Sequence, residues 1–187
     1  MHSTVKNLLD IKNNIKIHLN KLNIDNNPNI IAVSKTFKID KILPLIEYGH
    51  TDYGENKVQE ALEKWTEVKK KNSEIRLHMI GKLQTNKVKF AVQIFDYIHS
   101  VDSEKLAKKI ANEQSKINKK IKIFLQVNIG DENQKSGINK NDVSKLALFC
   151  KEIGLDVIGL MCIPPVDNEP EVYFKEMNKL NKFLGFV

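Results

Sequence analysis

The sequence predicts an α/β fold built on a parallel sheet. Short apolar segments rich in β-branched residues alternate with longer segments in which apolar residues recur every three or four positions. This alternation is typical of βαβ units, whose right-handed crossovers place helices outside a parallel sheet. With 187 residues, 41% of them apolar, the chain is large enough to bury one substantial core, so we expect a single domain over residues 1–187.

The first predicted element is an amphipathic helix over residues 3–22. Its apolar face would be formed by Val5, Leu8, Leu9, Ile11, Ile15 and Leu22. The βα units begin at residue 30 with the apolar run 30–33, whose lack of alternation is typical of a strand buried on both faces. Asp40 is then expected to cap a helix that runs to Gly49, where the glycine ends it.

The same strand and helix unit repeats along the rest of the chain. Further strands are predicted at residues 51–54, 75–80, 94–100, 121–129 and 155–163. Further helices are predicted at residues 58–68, 85–92, 103–118, 142–153 and from 168 or 169 to 183. These six strands fit either an open doubly wound sheet or a (β/α) barrel, which normally has eight strands. No G-x-G-x-x-G motif follows the first strand, which weakens the dinucleotide-binding version of the open sheet.

The charge pattern argues against a specific nucleic-acid partner. The formal net charge is +7, but every basic residue except Arg76 and the histidines is a lysine, and the lysines are scattered. A nucleic-acid surface would concentrate its cations and would include arginines for bidentate contacts.

Composition also narrows the cellular setting and the chemistry. No apolar run approaches the roughly 18 residues of a membrane span, and the amino terminus lacks the hydrophobic segment of a signal peptide. We therefore expect a cytoplasmic protein without membrane contact. Cys150 and Cys162 do not form a C-x-x-C pair, and the histidines show no metal-ligand spacing, so we expect reduced thiols and no metal.

Polar side chains follow the predicted strands, at residues 34–36, 54–56, 81–86 and 131–137. The carboxyl ends of parallel strands form the usual site of both candidate folds. Lys35 ends the first apolar strand, where desolvation favours the neutral amine that forms a Schiff base. The alternative is a lysine whose stem packs under a loop while its ammonium stays in water. Asn56 and His78 either hydrogen-bond an aromatic or carbonyl ligand or serve as a cap or a satisfied core group.

Five segments, in the same order, resemble the motifs of the pyridoxal phosphate homeostasis protein family. They read AVSKT at 32–36, YGENKVQE at 53–60, HMIGKLQTNK at 78–87, NIGDENQKSG at 128–137 and GLMCIP at 159–164. The resemblance implies the fold of the alanine racemase N-terminal domain, a (β/α)8 TIM barrel, with pyridoxal 5'-phosphate (PLP) held as an internal aldimine.

The resemblance also assigns roles within these motifs. It implies that Lys35 is the Schiff-base lysine and that Asn56, His78 and Met161 lie near the cofactor. It implies that Lys135 is a second lysine involved in PLP handling and exchange.

The function implied by the resemblance is that of a carrier and regulator of PLP supply with no catalytic reaction. PLP-dependent apoenzymes would be the acceptors, and we expect a monomer. The alternative is a PLP-dependent amino-acid racemase on the same barrel, which would need a second acid/base residue, usually a tyrosine from a second domain. A Schiff-base aldolase would need a carboxylate beside Lys35, and the first strand offers none. A basic RNA-binding module is the remaining alternative.

The sequence departs from the family pattern after the last predicted helix. Family members continue with two more βα units that carry a Ser/Gly-rich turn and an R-I-G-x-x-[IL]-F-G segment, which supply most of the phosphate contacts. Neither motif occurs before Val187. We therefore expect a barrel truncated at its carboxyl end to about six βα units, with open edges at the first and sixth strands and weakened PLP binding.

Overall fold

The computed structural model describes residues 1–132 and 134–186, so Asn133 of the fourth motif and Val187 lie outside the described residues. Within these residues, six strands alternate with helices after an amino-terminal helix. The strands are β1 (Ala32–Val33), β2 (Asp52–Glu55), β3 (Arg76–Met79), β4 (Tyr97–Val101), β5 (Lys122–Gln126) and β6 (Asp156–Met161). The α-helices are α1 (Ser3–Lys21), α2 (Ile39–Glu47), α3 (Val58–Lys71), α4 (Val88–Ile94), α5 (Glu104–Lys116), α6 (Val143–Glu152) and α7 (Pro170–Phe183).

The order of the strands in the sheet follows their order in the chain, from β1 to β6, and all neighbouring strands are parallel. A doubly wound sheet reverses its order at a switch point, whereas a sequential order with right-handed crossovers places the helices on the same face. The arrangement is therefore the wall of a (β/α) barrel, which confirms the predicted fold class. Among the described strands, β1 pairs only with β2, and β6 pairs only with β5.

Strand β1 differs from the predicted strand that is buried on both faces. It contains two residues, of which Ala32 is half-buried and Val33 is 47% exposed. Because β1 has one neighbour among the described strands, nothing in them covers its second edge. The expectation of full burial was therefore wrong, since an apolar run reveals residue type but not the number of neighbouring strands.

Helix α2 begins before its predicted cap. Lys38 occupies the N-cap position without a side-chain hydrogen bond, and Asp40 lies inside the first turn. The expectation that Asp40 caps the helix was therefore wrong, although its carboxylate still interacts favourably with the positive end of the helix dipole. The predicted end of the helix is confirmed, because Gly49 follows it with a φ of +89°, a conformation that favours glycine.

The boundary between α4 and β4 also differs from the prediction. Residues 94–100 were expected to form a strand, but α4 extends to Ile94 and β4 begins at Tyr97. Ile94 and Phe95 are both buried at the end of the helix. Apolar residues are buried in either state, so the apolar run alone did not locate the boundary.

The predicted extent of the amino-terminal helix is confirmed within one residue, but its apolar face is only partly covered. Val5 and Leu8 are buried in α1, whereas Ile11 is 49% exposed and Leu22, just past the helix, is 67% exposed. Helix α1 packs on α2, so only the part of its apolar face near that contact is buried.

Buried side chains from the strands and helices form a continuous core. Trp65 of α3 packs against Tyr53 of β2 with ring centroids 4.7 Å apart, and both side chains are fully buried. The other large, fully buried side chains include Phe95, Ile75, Leu77, Met79, Ile98, Ile110, Ile121, Ile123, Leu125 and Leu146. Close packing of this kind fixes the strands, so their carboxyl ends keep a defined arrangement.

Candidate functional site

A cavity of about 480 Å³ lies at the carboxyl ends of the strands. It is lined by Lys35, Asn56, Ile80, Gly81, Lys82, His99, Gln126, Val127, Asn128, Lys135, Ser136, Met161 and Ile163. All six strands, or the loops that follow them, therefore contribute to one site. In (β/α) barrels this is the end at which ligands bind.

The structure brings together four of the five residues that the sequence singled out. Lys35, Asn56, Lys135 and Met161 line the cavity, and His78 does not. His78 is buried in the sheet and forms a hydrogen bond with His99, which does line the cavity. His78 is therefore one side chain removed from any molecule in the cavity.

Lys35 is exposed in the turn that follows β1. The desolvation expected from a buried strand is absent here, because β1 is at the edge of the described sheet and is itself partly exposed. Lys35 is positioned instead by hydrogen bonds to its two neighbours in the chain, Ser34 and Thr36.

Ser34 is held by the buried carboxylate of Glu55, at the end of β2. Glu55 Oε1 accepts hydrogen bonds from Ser34 Oγ at 2.7 Å, from Lys64 Nζ at 2.9 Å and from Trp65 Nε1 at 2.9 Å. Lys64 Nζ also donates to the Ser34 carbonyl oxygen at 2.8 Å. Both the side chain and the backbone of Ser34 are thus bonded to β2 and α3.

Thr36 is held by a second carboxylate, Glu60 of α3. Glu60 Oε1 accepts the Thr36 backbone N–H at 2.6 Å and Lys64 Nζ at 2.8 Å. The hydrogen bond from Lys64 is the main cause that holds the pKa of Glu60 below its ordinary value. Thr36 has a φ of +65°, a strained conformation for a β-branched residue, and the Glu60 contact helps to hold it. Both neighbours of Lys35 are therefore tied to one helix.

Lys135 is paired inside its loop. Its Nζ lies 2.5 Å from Glu132 Oε2 and donates to the Pro164 carbonyl oxygen at 3.2 Å. Asn128 organises the loop, because its side chain donates to the Glu132 carbonyl oxygen at 3.0 Å and accepts from the Glu132 N–H at 3.2 Å. Gly137 closes the loop with a φ of +125°, where an added Cβ would lie 2.5 Å from Asn128 N.

The lining supports binding of an anionic molecule with a planar ring. Three lysines, Lys35, Lys82 and Lys135, line the cavity, and its described lining residues include no carboxylate. Lys135 pairs with Glu132 outside that lining. Lysine ammonium groups bind phosphate as point charges, and a lysine amine can form a covalent bond with an aldehyde. The apolar part of the lining suits a ring and consists of Ile80, Val127, Met161 and Ile163.

Sequence reasoning missed His99, Lys82, Gln126 and Asn128 as lining residues. Asn128 and Lys82 lay in the quoted motifs but were given no role. His99 lies two residues after Tyr97, which pairs with His78, so both histidines are on the same face of the sheet. The pairing of His78 with Tyr97 could have identified His99 as a site residue, but the sequence alone does not reveal the strand register.

A sequential parallel sheet with a lysine-lined cavity at its carboxyl end defines a (β/α)-barrel domain with a ligand site at the strand ends. A family model described as "Alanine racemase, N-terminal domain" matches residues 7–187. The pyridoxal phosphate homeostasis protein of Haemophilus influenzae is 38% identical over 160 residues, which cover 83% of this chain and 67% of that protein. The chain therefore belongs to the pyridoxal phosphate homeostasis protein family, which has the alanine racemase N-terminal fold.

Other relatives match this chain over part of their own length. The pyridoxal phosphate homeostasis protein of Pasteurella multocida is 36% identical over 155 residues, which cover 81% of this chain and 66% of that protein. The chain thus spans about two thirds of the length of these relatives. PipY of Synechococcus elongatus, solved without PLP, is 30% identical with a TM-score of 0.79, over 89% of this chain and 80% of that one. The structure of PipY with PLP bound has a TM-score of 0.76, at 30% identity over 89% and 79% of the two chains.

More distant structures share the fold alone. Alanine racemase from Streptomyces coelicolor is 18% identical with a TM-score of 0.67, over 84% of this chain and 45% of that one. None of the described helices has the length and apolarity that a membrane crossing requires.

Proposed function

We propose that this chain binds PLP in the cavity at the carboxyl ends of the strands, with Lys35 as the residue of attachment, and that it acts as a PLP carrier. The observation that carries the proposal is the position of Lys35 in a cavity that is also lined by Lys82 and Lys135. PipY, which is 30% identical, has been solved with PLP bound, and the curated relatives are named for PLP homeostasis.

The described residues fit PLP in size and in chemistry. A volume of about 480 Å³ is within the usual range for small-molecule sites. Bound PLP supplies an aldehyde that forms a reversible covalent bond with a lysine amine. Lys35 provides that amine on a backbone held at both sides, and Lys82 and Lys135 provide cations for the phosphate group.

The remaining predicted residues have supporting roles in the proposal. The Asn56 amide hydrogen-bonds a ring substituent, and Met161 packs against the ring. Lys135 competes for the aldehyde during exchange only after it leaves Glu132, because that ion pair keeps its Nζ occupied. His78 acts through His99 and does not contact the cofactor.

We favour a carrier over the racemase alternative. The curated relatives are named for PLP homeostasis, whereas alanine racemase from Streptomyces coelicolor is only 18% identical and shares the fold alone. Release of PLP to PLP-dependent apoenzymes would then be the biological output.

The test is to incubate the protein with PLP, record the near-ultraviolet and visible absorbance, reduce with borohydride and map the adduct by mass spectrometry. We expect a single adduct on Lys35, lost in Lys35→Met. Lys145→Met is the matched control, because its side chain is 79% exposed and does not line the cavity. No adduct, or adducts spread over surface lysines, would refute the proposal.

A further inference from the structure

A chain of hydrogen-bonded side chains crosses three neighbouring strands. Asp52 lies on β2, His78 on β3 and His99 on β4. His78 Nε2 is 3.0 Å from Asp52 Oδ1, and His78 Nδ1 is 2.9 Å from His99 Nε2. Because Gly54 pairs with His78, and His78 pairs with Tyr97, each step moves one strand across and two residues towards the carboxyl end. The chain therefore runs from the amino end of the sheet to the cavity that His99 lines.

The three side chains are buried, and stacking fixes the two imidazole rings. His78 stacks on Tyr97 and His99 stacks on Phe124, each with ring centroids 4.3 Å apart. Rings packed in this way do not turn over freely, so each ring nitrogen keeps its own partner.

Asp52 is held as a carboxylate at the start of this chain. Arg76 Nε donates to its Oδ1 at 2.8 Å, Arg76 donates a second bond to its Oδ2 at 2.5 Å, and Thr51 Oγ1 donates to Oδ2 at 3.0 Å. Burial acts to raise the pKa of Asp52, but these hydrogen bonds and that of His78 outweigh it and hold the pKa below its ordinary value. An ionised carboxylate only accepts hydrogen bonds, so His78 Nε2 must carry the proton.

The position of the proton on His78 determines the position of the proton on His99, which lines the cavity. Burial lowers the pKa of His78 below 6.5. Burial and the neighbouring His78 lower the pKa of His99 to about 4. Both rings are therefore neutral at pH 7. A neutral imidazole has one N–H and one lone pair. His78 Nδ1 is therefore an acceptor, His99 Nε2 donates to it, and the lone pair of His99 is on Nδ1. Among the described residues no donor contacts His99 Nδ1.

We propose that His99 is a further ligand-binding residue of the cavity, which presents Nδ1 as a neutral hydrogen-bond acceptor to an N–H or O–H group of the bound molecule. The lysines supply only donors to the same cavity, so His99 Nδ1 adds a fixed acceptor to those of the amide side chains and suits a ligand with its own donor group. Asp52 and His78 are positioning residues, because they fix which nitrogen of His99 carries the proton. The inference rests on the proposed function for PLP as the ligand, whose pyridine nitrogen is a donor of this kind when it is protonated.

The first test needs no ligand. Two-bond nitrogen–proton correlation spectra of the ¹⁵N-labelled protein at pH 7 distinguish the two neutral forms of each histidine and the imidazolium. The chain has five histidines, and loss of one signal in His78→Phe and one in His99→Phe assigns the pair. We expect both histidines to be neutral with the proton on Nε2. A proton on His99 Nδ1 would overturn the inference.

The second test uses PLP on the full chain. We expect PLP to shift the Nδ1 resonance of His99, and His99→Phe to bind PLP about tenfold more weakly, the loss expected for one hydrogen bond. His99→Asn, whose side-chain oxygen lies near the place of Nδ1, is expected to restore most of that affinity. Thermal unfolding establishes that each variant is folded.

The outcomes separate this inference from the proposed function. If borohydride traps PLP on Lys35 in the wild type, but His99→Phe binds PLP equally well and the Nδ1 resonance is unchanged, this inference is wrong and the proposed function stands. If PLP does not attach to Lys35 in the wild type, the proposed function is refuted, and the binding role of His99 falls with it.

Discussion

Lys64 Nζ lies 2.9 Å from Glu55 Oε1 in an ion pair whose side chains are 8% and 0% exposed. Lys64 also bonds to the Ser34 carbonyl oxygen and to Glu60, so one ammonium group joins the loop before Lys35 to two carboxylates. Removing one partner of a buried pair leaves an uncompensated charge, which costs more than the pair itself contributes. Lys64 therefore links the stability of the fold to the geometry of the proposed attachment site.

Lys64→Met is expected to lower the free energy of unfolding by about 3–5 kcal/mol, because it leaves the Glu55 carboxylate buried without a cation. Urea denaturation measures the change. Lys70→Met is the control, since its ion pair with Glu67 has side chains 65% and 73% exposed and is worth less than about 1 kcal/mol. An equally small loss in Lys64→Met would show that the buried pair does not hold the loop.

The stability of the protein is expected to fall as pH drops from about 6.5 to about 4. Burial and His78 lower the pKa of His99 from 6.5 to about 4, so between these values the unfolded chain binds a proton that the folded chain does not. Stability is then lost as pH falls, by about 3 kcal/mol over the full shift. Urea midpoints across this range should show a shallower slope in His99→Phe than in the wild type. Equal slopes would contradict the low pKa of His99.

Glu132→Gln is expected to increase the share of borohydride-trapped PLP found on Lys135. The substitution removes the charge that pairs with Lys135 Nζ, so the amine is more available to the aldehyde. Peptide mapping gives the ratio of adducts on Lys135 and Lys35. Glu171→Gln, which changes an exposed pair with Lys175, is the control. An unchanged ratio, or unchanged exchange rates in Lys135→Met, would exclude Lys135 from PLP exchange.

Gly137→Ala is expected to destabilise the protein by more than Gly154→Ala. Both glycines have positive φ, +125° and +75°, so alanine is strained at each. At Gly137 a Cβ would also lie 2.5 Å from Asn128 N, whereas at Gly154 nothing lies within 4 Å. Thermal unfolding of the two variants gives the comparison, and PLP exchange should change only in Gly137→Ala. Equal destabilisation would mean that the loop around Gly137 accommodates the added Cβ without a further loss of stability.

The sequence predicted the order and type of the elements because periodicity depends on residues that are close together in the chain. The alternation of apolar strands and amphipathic helices, and the polar residues after the strands, placed Lys35, Asn56 and Lys135 at one end of the sheet, and the family resemblance added Met161. These features need no knowledge of which strands are neighbours.

The features that the sequence did not predict depend on neighbours. The exposure of Val33 follows from β1 having a single partner among the described strands, and the position of His78 behind His99 follows from strand register. The roles of Glu55 and Lys64 depend on where α3 lies against the loop that carries Lys35. Residue type and spacing contain none of these relationships.

The bonds to Ser34 and Thr36 hold the backbone on both sides of Lys35, while the Lys35 side chain itself is exposed. Attaching a cofactor to the exposed amine would therefore restrict the rotation of one lysine side chain, an entropic cost of about 2 kcal/mol at most. Ordering a loop would add about 1–2 kcal/mol for every residue. Loading and unloading at Lys35 would thus leave the surrounding backbone unchanged, as a reversible carrier requires.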